Sequence, residues 1–225
     1  MVALNHRILN CRMCQRLVDY REHIALIKRA KYKDSDYWGS PVPGFGERGA
    51  RLLIVGLAPA AHGANRTGRM FTGDKSADFL IGALYRAGFA SQPSSSHRND
   101  GLQLLDVYLT AAVRCVPPND KPTALEQSLC RDYFLEELGY LPSVQVVLTL
   151  GRIAFDNYLR ACSSQIGERI TRKFMHGQSY NISPELPILY ASYHPSPRNT
   201  NTGRLKAEGL DKILSVIKKR IVPSA

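Results

Sequence analysis

Four short runs of apolar, β-branched residues constrain the fold of this chain more than any other feature. Within each run apolar residues follow one another without alternation, which is typical of strands buried on both faces of a sheet. The runs are Arg51–Leu57, Asp106–Val113, Val144–Leu150 and Pro187–Ser192. Because helical patterns separate them, they predict an α/β protein whose parallel sheet is covered by helices on both faces.

The predicted helices lie between and after these strands. In Asp74–Gly88 apolar residues recur at helical spacing, and the final glycine suits a C-cap. The segment Thr123–Leu138 begins with a Thr-x-x-Glu capping box. A shorter helix is predicted over Gly151–Ala161. The last, over Arg204–Ile221, has one apolar face and one basic face.

The organisation of the chain indicates a single domain. A basic, partly helical segment over residues 1–50, which contains the loop Tyr37–Gly46, precedes a core over residues 51–225. The polar stretch Ala90–Asp100 is expected to form a surface loop. No apolar run approaches the roughly 18–20 residues that span a bilayer, and residues 1–13 lack the apolar core of a signal peptide. We therefore expect a cytoplasmic monomer with no membrane partner.

The charge balance points to a polyanionic partner. The chain has 30 Lys and Arg against 19 Asp and Glu, a formal net charge of +11. A basic domain of this kind most often meets nucleic acid. The alternative is a solvated cationic surface without a specific partner. The net charge indicates which kind of partner the chain binds, but it does not indicate which reaction, if any, the chain catalyses.

The cysteines form a second pattern. Cys11 and Cys14 make a C-x2-C pair, and Cys115 and Cys130 are 15 positions apart. In a reducing compartment such a pair indicates metal binding more than a disulfide. Four thiolates suit either a tetrahedral zinc ion or an iron–sulfur cluster, and the spacing does not distinguish the two. A third alternative is that the cysteines are scattered buried thiols that bind no metal. Cys162 is expected to be a structural free thiol.

Polar and ionisable residues cluster where the predicted strands end. Open α/β sheets bind ligands beyond the carboxyl ends of their strands. The loops there are Gly56–Asp74, Arg114–Asp120 and Tyr193–Arg204. The first is glycine-rich but lacks both the dinucleotide fingerprint and the P-loop lysine, so no nucleotide cofactor is expected. By position alone, Asp74 suits a helix N-cap as well as a functional acid, and His194 suits a packing residue as well as a catalyst.

These loops resemble the motifs of the family 5 uracil-DNA glycosylases, also called UDGb. The resemblance runs from Cys11 to about Arg204. It is carried by Gly-Leu-Ala-Pro-Ala at Gly56–Ala60, Gly63, Asn-Arg-Thr-Gly-Arg at Asn65–Arg69, Phe-Thr-Gly-Asp at Phe71–Asp74, Arg-Cys-x-Pro-Pro at Arg114–Pro118, His-Pro-Ser at His194–Ser196, Asn199, and Thr-Gly-Arg at Thr202–Arg204. The loop Tyr37–Gly46 also resembles the family's.

The resemblance implies a three-layer α/β/α sandwich with a central four-stranded parallel sheet. It also implies a structural 4Fe–4S cluster on Cys11, Cys14, Cys115 and Cys130. The cluster would tie the N-terminal segment to the loop and helix that follow the second strand.

The activity that the resemblance implies is monofunctional base excision. The N-glycosidic bond of uracil in single- or double-stranded DNA is hydrolysed and an abasic site remains. Because a stacked base is out of reach, the nucleotide must be flipped into a pocket. Ala111 occupies the position at which the neighbouring family 4 carries a uracil-reading Asn. Family 5 shares this feature, so hypoxanthine and xanthine are expected as further substrates.

Site residues follow from the same motifs. Asp74 is the expected acid, His194 the donor to the leaving base, and Asn119 a base or water contact. Phe71 is expected to stack on the flipped base, and the backbone near Leu57 and Ala58 to bind it. The expected DNA contacts are Arg66, Arg69, Ser196, Arg198, Asn199 and Arg204, with Arg198 where many relatives have an apolar wedge.

The competing interpretation is a non-catalytic nucleic-acid-binding protein with a structural four-cysteine metal site. It accounts for the charge and the cysteines equally well. Simple binding does not require Asp74 and His194, which separate the two interpretations.

Overall fold

The computed structural model describes residues 1–221, and its centre is one six-stranded sheet in the order β1-β3-β2-β4-β6-β5. The strands are β1 (Phe45–Gly46), β2 (Leu52–Gly56), β3 (Val107–Ala111), β4 (Val146–Leu150), β5 (Ser179–Tyr180) and β6 (Ile188–Ser192). The central four, β3, β2, β4 and β6, are parallel to their neighbours. They are the four predicted strands, each shorter than predicted by at most two residues at either end.

The four helices predicted after residue 50 are all present, and two short helices lie within the predicted loops Gly56–Asp74 and Tyr193–Arg204. With two helices of the N-terminal segment, residues 1–221 contain eight α-helices. They are α1 (Val2–Leu9), α2 (Gln15–Ile27), α3 (Ala64–Thr67), α4 (Lys75–Arg86), α5 (Ala124–Gly139), α6 (Arg152–Ile166), α7 (Pro197–Thr200) and α8 (Ala207–Arg220). The capping box of α5 is confirmed, with both reciprocal hydrogen bonds present. Helix α6 is longer than predicted, and α8 begins three residues after Arg204. The core predicted over residues 51–225 includes 222–225, which lie outside the described residues.

Two apolar layers explain why the strand sequences do not alternate. On one side of the sheet Leu52 and Ile54 pack with residues of α4 and α8. On the other side Leu53 and Val55 pack with residues of α5 and α6. Both faces of each central strand are therefore buried, as the continuous apolar runs require. The three-layer α/β/α fold is confirmed.

The two outer strands were not predicted. β1 and β5 are two residues long and pair antiparallel with β3 and β6. So short a strand has no hydrophobic period that could reveal it. Gly46 in β1 has a φ of +141°, and a Cβ there would lie 2.2 Å from the carbonyl oxygen of Val107. Only glycine permits this close approach of the two backbones.

The N-terminal segment packs against the loop that follows β2. The backbone N–H of Trp38 donates to the Arg66 carbonyl, and the backbone N–H of Gly39 donates to the Asn65 carbonyl. The predicted loop Tyr37–Gly46 is thereby fixed beside the first motif. Among residues 1–221, no helix has the length and apolarity needed to cross a membrane.

Candidate active site

The candidate site lies where β2 and β4, two neighbouring parallel strands, reach their carboxyl ends. Phe71 approaches the last residue of β2 so closely that a Cβ at Gly56 would lie 2.8 Å from its Cζ. Phe71 itself has a φ of +48°, an uncommon backbone conformation for a non-glycine residue. A constrained backbone thus holds an aromatic ring, partly exposed, at the edge of the sheet.

Asp74 is both the N-cap of α4 and a half-buried acid. Its Oδ1 accepts the Ala77 N–H at 2.9 Å, so the sequence-based N-cap interpretation is confirmed. Its Oδ2 lies against Gly63, where a Cβ would be 1.8 Å away. Burial raises the pKa of Asp74, and the backbone N–H groups of Ala77 and Ser76 act in the opposite direction. The positive end of a helix also favours the carboxylate form.

His194 follows β6 and lies beside the end of β4. A Cβ at Gly151, the residue after β4, would be 3.3 Å from the His194 Cβ. Burial lowers the pKa of His194 to about 4. At neutral pH the ring is therefore uncharged, with one nitrogen carrying a proton. Such an imidazole can donate a hydrogen bond without bringing a positive charge into the site.

The remaining predicted contacts with the base are spread along the same edge. Leu57 and Ala58 directly follow β2, and the Leu57 carbonyl accepts the Val113 N–H of the neighbouring chain segment at 3.0 Å. Asn119 lies beyond β3 in a 3-10 turn over Pro118–Asp120, with a left-handed φ of +54°. It is exposed, and its role stays a prediction.

Arg69 was expected to contact DNA, but its side chain is buried in the structure. Its side chain is only 6% exposed and pairs with Asp100, which is 5% exposed, at 2.7 Å. The guanidinium also donates to Thr72 Oγ1, Ser95 Oγ and the Arg98 carbonyl. All three guanidinium nitrogens therefore donate to protein acceptors, which argues against the predicted contact with DNA. Part of the predicted surface loop Ala90–Asp100 is buried by this network.

The other residues expected to contact DNA differ in their exposure and in the contacts they already make within the protein. Arg198 is exposed on α7. The Arg204 guanidinium lies 4.4 Å from the centre of the Tyr193 ring. Arg66 donates to the carbonyls of His62 and Gly73. Asn199 and Ser196 close their own loop: the Asn199 amide donates to the His194 carbonyl, and Ser196 is the N-cap of α7.

The four predicted metal-ligating cysteines line one cavity between α2, the loop after β3, and α5. Cys11, Cys14, Cys115 and Cys130 share it with apolar walls, among them Leu17 and Val113. Within residues 1–221, no three His, Cys, Asp or Glu side chains are arranged to hold a metal ion. Burial raises the pKa of Cys115 to about 11 and that of Cys130 to about 12. Cys162 is buried elsewhere, in α6.

Two arginines donate to the sulfur atoms of this cavity. Arg21 Nη1 lies 2.9 Å from Cys115 Sγ, and the Arg114 backbone N–H lies 3.3 Å from Cys130 Sγ. The Arg114 side chain forms a buried ion pair with Glu137 of α5 at 2.5 Å. This pair joins the chain before Cys115 to the helix that carries Cys130. Sequence reasoning missed it; a glutamate within the apolar stretch of α5 was the available signal.

A contact between the N-terminal loop and the first motif was also missed. The Tyr37 hydroxyl and His62 Nδ1 are 2.9 Å apart. His62 is next to Gly63, against which the Asp74 carboxylate lies. Burial, Arg29 and Arg66 lower the pKa of His62. The tyrosine thus supports the backbone that receives the acid.

Comparison with known proteins identifies similar sequences over most of the chain. The model of the uracil DNA glycosylase superfamily matches residues 43–218. The chain is 49% identical to the type-5 uracil-DNA glycosylase of Thermus thermophilus over 210 residues, 93% of each chain. It is 44% identical to that of Pyrobaculum aerophilum over 209 residues, 93% of this chain and 88% of the relative. A type-4 uracil-DNA glycosylase of Thermotoga maritima is 26% identical over 182 residues, 79% of this chain and 83% of the relative.

Proposed function

The chain belongs to the uracil-DNA glycosylase superfamily, and we propose that it hydrolyses the N-glycosidic bond of uracil in DNA. One observation carries the proposal: Phe71 and His194 border the carboxyl ends of neighbouring strands β2 and β4, and Asp74 lies against the loop after β2. An aromatic surface can bind a base, and a neutral donor and a carboxylate can stabilise the charges that develop as the base is removed. The relatives named type-5 uracil-DNA glycosylase support the same activity.

The Asp74 carboxylate acts on the sugar side of the reaction. As the bond between C1′ and the base breaks, the bonding electron pair leaves with the base, and positive charge develops on the sugar ring. A carboxylate near that charge stabilises the transition state and orients the attacking water. Water then bonds to C1′, and the proton that it loses passes through solvent to the base anion, which leaves the abasic sugar and the neutral base. The N–H of Ala77 holds one carboxylate oxygen and keeps the group in place.

The His194 ring acts on the leaving base. Negative charge that develops on the pyrimidine is stabilised by a hydrogen bond from the uncharged imidazole. Burial keeps the ring neutral, so the donor needs no protonation step at neutral pH. The separated charges of the transition state, positive on sugar and negative on base, each meet a complementary group.

Base flipping brings the nucleotide to these groups. A base within a duplex must leave the stack, which costs a few kcal/mol and least at a mismatch such as U·G. Phe71 stacks on the flipped base and recovers part of that cost. Ala111 ends β3 opposite Gly56 and has no polar group with which to select uracil. We therefore extend the proposal to hypoxanthine and xanthine.

The four cysteines are proposed to hold a structural 4Fe–4S cluster. They converge on one cavity with apolar walls, and two arginine donors face the sulfurs, as suits thiolates bound to iron. When bound, the cluster supplies a cross-link and no redox step in base removal. Cys11 and Cys14 would hold α2 against the loop and helix that carry Cys115 and Cys130.

A duplex with a single U·G pair tests the proposed function. The purified chain is incubated with the labelled duplex, and alkali then cleaves any abasic site. We expect strand cleavage at the uracil position, and cleavage of duplexes with hypoxanthine or xanthine, but none of a matched T·A duplex. Tight binding of the U·G duplex without cleavage would favour a non-catalytic nucleic-acid-binding protein. Cleavage at uracil alone would contradict only the extension to other bases.

A further inference from the structure

An open groove rich in arginine lies outside the candidate active site. It is formed by α5, α6 and residues 167–172, and has a volume of about 600 Å³. Four of the lining residues are arginines, which define what we call the arginine groove: Arg131, Arg160, Arg169 and Arg172. Ser163, Ser164 and Thr171 add hydroxyl groups to its wall. None of the motifs discussed above includes these positions.

The charges of the arginine groove are not balanced by its own acids. Two acidic residues line it, Asp156 and Glu168, against four arginines. Asp156 also pairs with Arg152 at 3.6 Å, which reduces its effect on the groove. Such a surface has a positive potential that attracts anions. An arginine guanidinium can donate two parallel hydrogen bonds to a phosphate.

Arg131 shows the imbalance most directly. Its Nε is buried and makes no hydrogen bond within the described part of the chain. Burial and the charge of Arg160 both lower its pKa. Two guanidinium groups held near each other repel, and an anion between them removes that repulsion. An anion bound beside both arginines would therefore be favoured electrostatically.

The position of the arginine groove indicates which anion it binds. Helix α6 begins directly after Gly151, which lies beside His194. Arg152, Asp156 and Arg160 are spaced by four residues and share one face of α6. This face runs about 12 Å from the active-site edge to Arg160. A ligand that already occupies the candidate site can therefore continue along α6 to the groove, which favours DNA over a separate acidic protein.

We propose that the arginine groove binds the phosphate backbone of DNA flanking the damaged base. The identity of the ligand rests on the proposed function. The groove is a binding site and contributes nothing to bond cleavage. It lengthens the DNA segment that the protein covers, and each phosphate bound by an arginine releases counterions.

A triple variant separates this site from the active site. Arg160→Gln, Arg169→Gln and Arg172→Gln remove three exposed charges and leave the half-buried Arg131 in place. The matched control replaces Lys212, Lys219 and Arg220 of α8 with Gln, three exposed cations in the opposite layer. Affinity is measured for duplexes of about one and about three helical turns, roughly 10 and 30 base pairs, over a range of salt. Both uracil-containing and undamaged duplexes are used.

We expect the groove variant to bind the long duplex more weakly than the control does. The slope of log K against log salt falls by roughly 1 for each phosphate that the protein no longer neutralises, so by roughly 2 to 3 in total. A short duplex centred on the uracil extends only about 17 Å to either side and ends before residues 167–172, so its affinity falls by less than that of the long duplex. The single-turnover rate on saturated uracil duplex stays that of the control. Equal affinity and equal slope on the long duplex would overturn the proposal.

Two further outcomes are distinguishable. A groove variant that loses affinity for polyglutamate, while its DNA binding matches the control, identifies an acidic-protein site and contradicts a DNA site. If the wild-type chain excises no uracil but the groove variant still lowers the salt slope on undamaged duplex, the proposed function fails and the groove remains a DNA site.

Discussion

The carboxylate of Asp74 lies directly against Gly63, with Oδ2 in the space that a side chain at Gly63 would occupy. Residue 63 also precedes the first residue of α3, and its N–H donates to the Ala60 carbonyl. The first motif therefore supplies a backbone surface that positions the acid, and Tyr37 and His62 support that surface from the N-terminal side. The Asp74 carboxylate can take this position only because residue 63 is a glycine and has no Cβ.

We expect Gly63→Ala to abolish most uracil excision. A Cβ 1.8 Å from Oδ2 must displace the carboxylate, and misplacement of a reacting group by about 1 Å can cost on the order of 100-fold in rate. Single-turnover excision measures the effect. Gly49→Ala is the control, since a Cβ there meets nothing within 4 Å. Equal rates for the two variants would mean that Gly63 does not position Asp74.

Asp100→Asn should destabilise the protein strongly. It removes the buried partner of Arg69, and an arginine left buried and unpaired costs about 3–5 kcal/mol. Urea unfolding measures the free energy. Asp211→Asn is the matched control, because it breaks an exposed pair with Arg86 that is worth about 1 kcal/mol or less. A loss for Asp100→Asn as small as that of the control would contradict the burial of Arg69.

His194 should make the folded state sensitive to acid. Its pKa is about 4 in the folded protein against an ordinary value of 6.5, so above pH 6.5 the ring is neutral in both states. Below pH 6.5 the unfolded chain binds a proton that the folded chain does not. The free energy of unfolding therefore falls by roughly 3 kcal/mol as the pH drops from 6.5 to 4.

Replacement of the imidazole isolates this contribution. Urea unfolding at about pH 7 and about pH 4.5, which bracket most of the titration, is compared for wild type, His194→Gln and the exposed control His97→Gln. We expect His194→Gln to lose less stability between the two pH values than wild type and the control do. An identical loss in all three proteins would show that His194 titrates normally.

Cys115→Ala should remove iron and lower the melting temperature. Cys115 lines the cavity shared by the four cysteines, whereas Cys162 lies in α6, so Cys162→Ala is the control. Iron per chain and visible absorbance are measured with thermal unfolding, because loss of a bound cluster is also loss of folding free energy. Stoichiometric zinc in place of iron, or iron retained by Cys115→Ala, would contradict the proposed cluster.

The sheet was predictable from the sequence because its strands are buried on both faces. Leu52–Gly56 has no exposed face, so its residues form the short continuous apolar run that is typical of a strand buried on both faces. The carboxyl ends of such strands then located Asp74 and His194. The prediction was least accurate where a contact joins distant residues: Arg69 looks like an exposed cation until its partner Asp100, 31 residues away, is known.

The same limit applies to the other unpredicted features. Arg114 and Glu137 are 23 residues apart and pair only after β3 and α5 have packed. The arginine groove collects side chains from two helices and a loop. A local pattern carries periodicity, caps and motifs, but not which charged residues the tertiary fold brings together.

The most direct measurement is the single-turnover rate of uracil excision by Asp74→Asn. Asparagine is also a good N-cap, so the variant preserves the start of α4 and removes only the negative charge. Asp78→Asn, which removes an exposed charge from the first turn of the same helix, is the control. We predict that Asp74→Asn loses at least about 100-fold in rate, while its DNA affinity and the rate of the control stay at wild-type values. Excision by Asp74→Asn at the rate of Asp78→Asn would contradict the assignment of the acid.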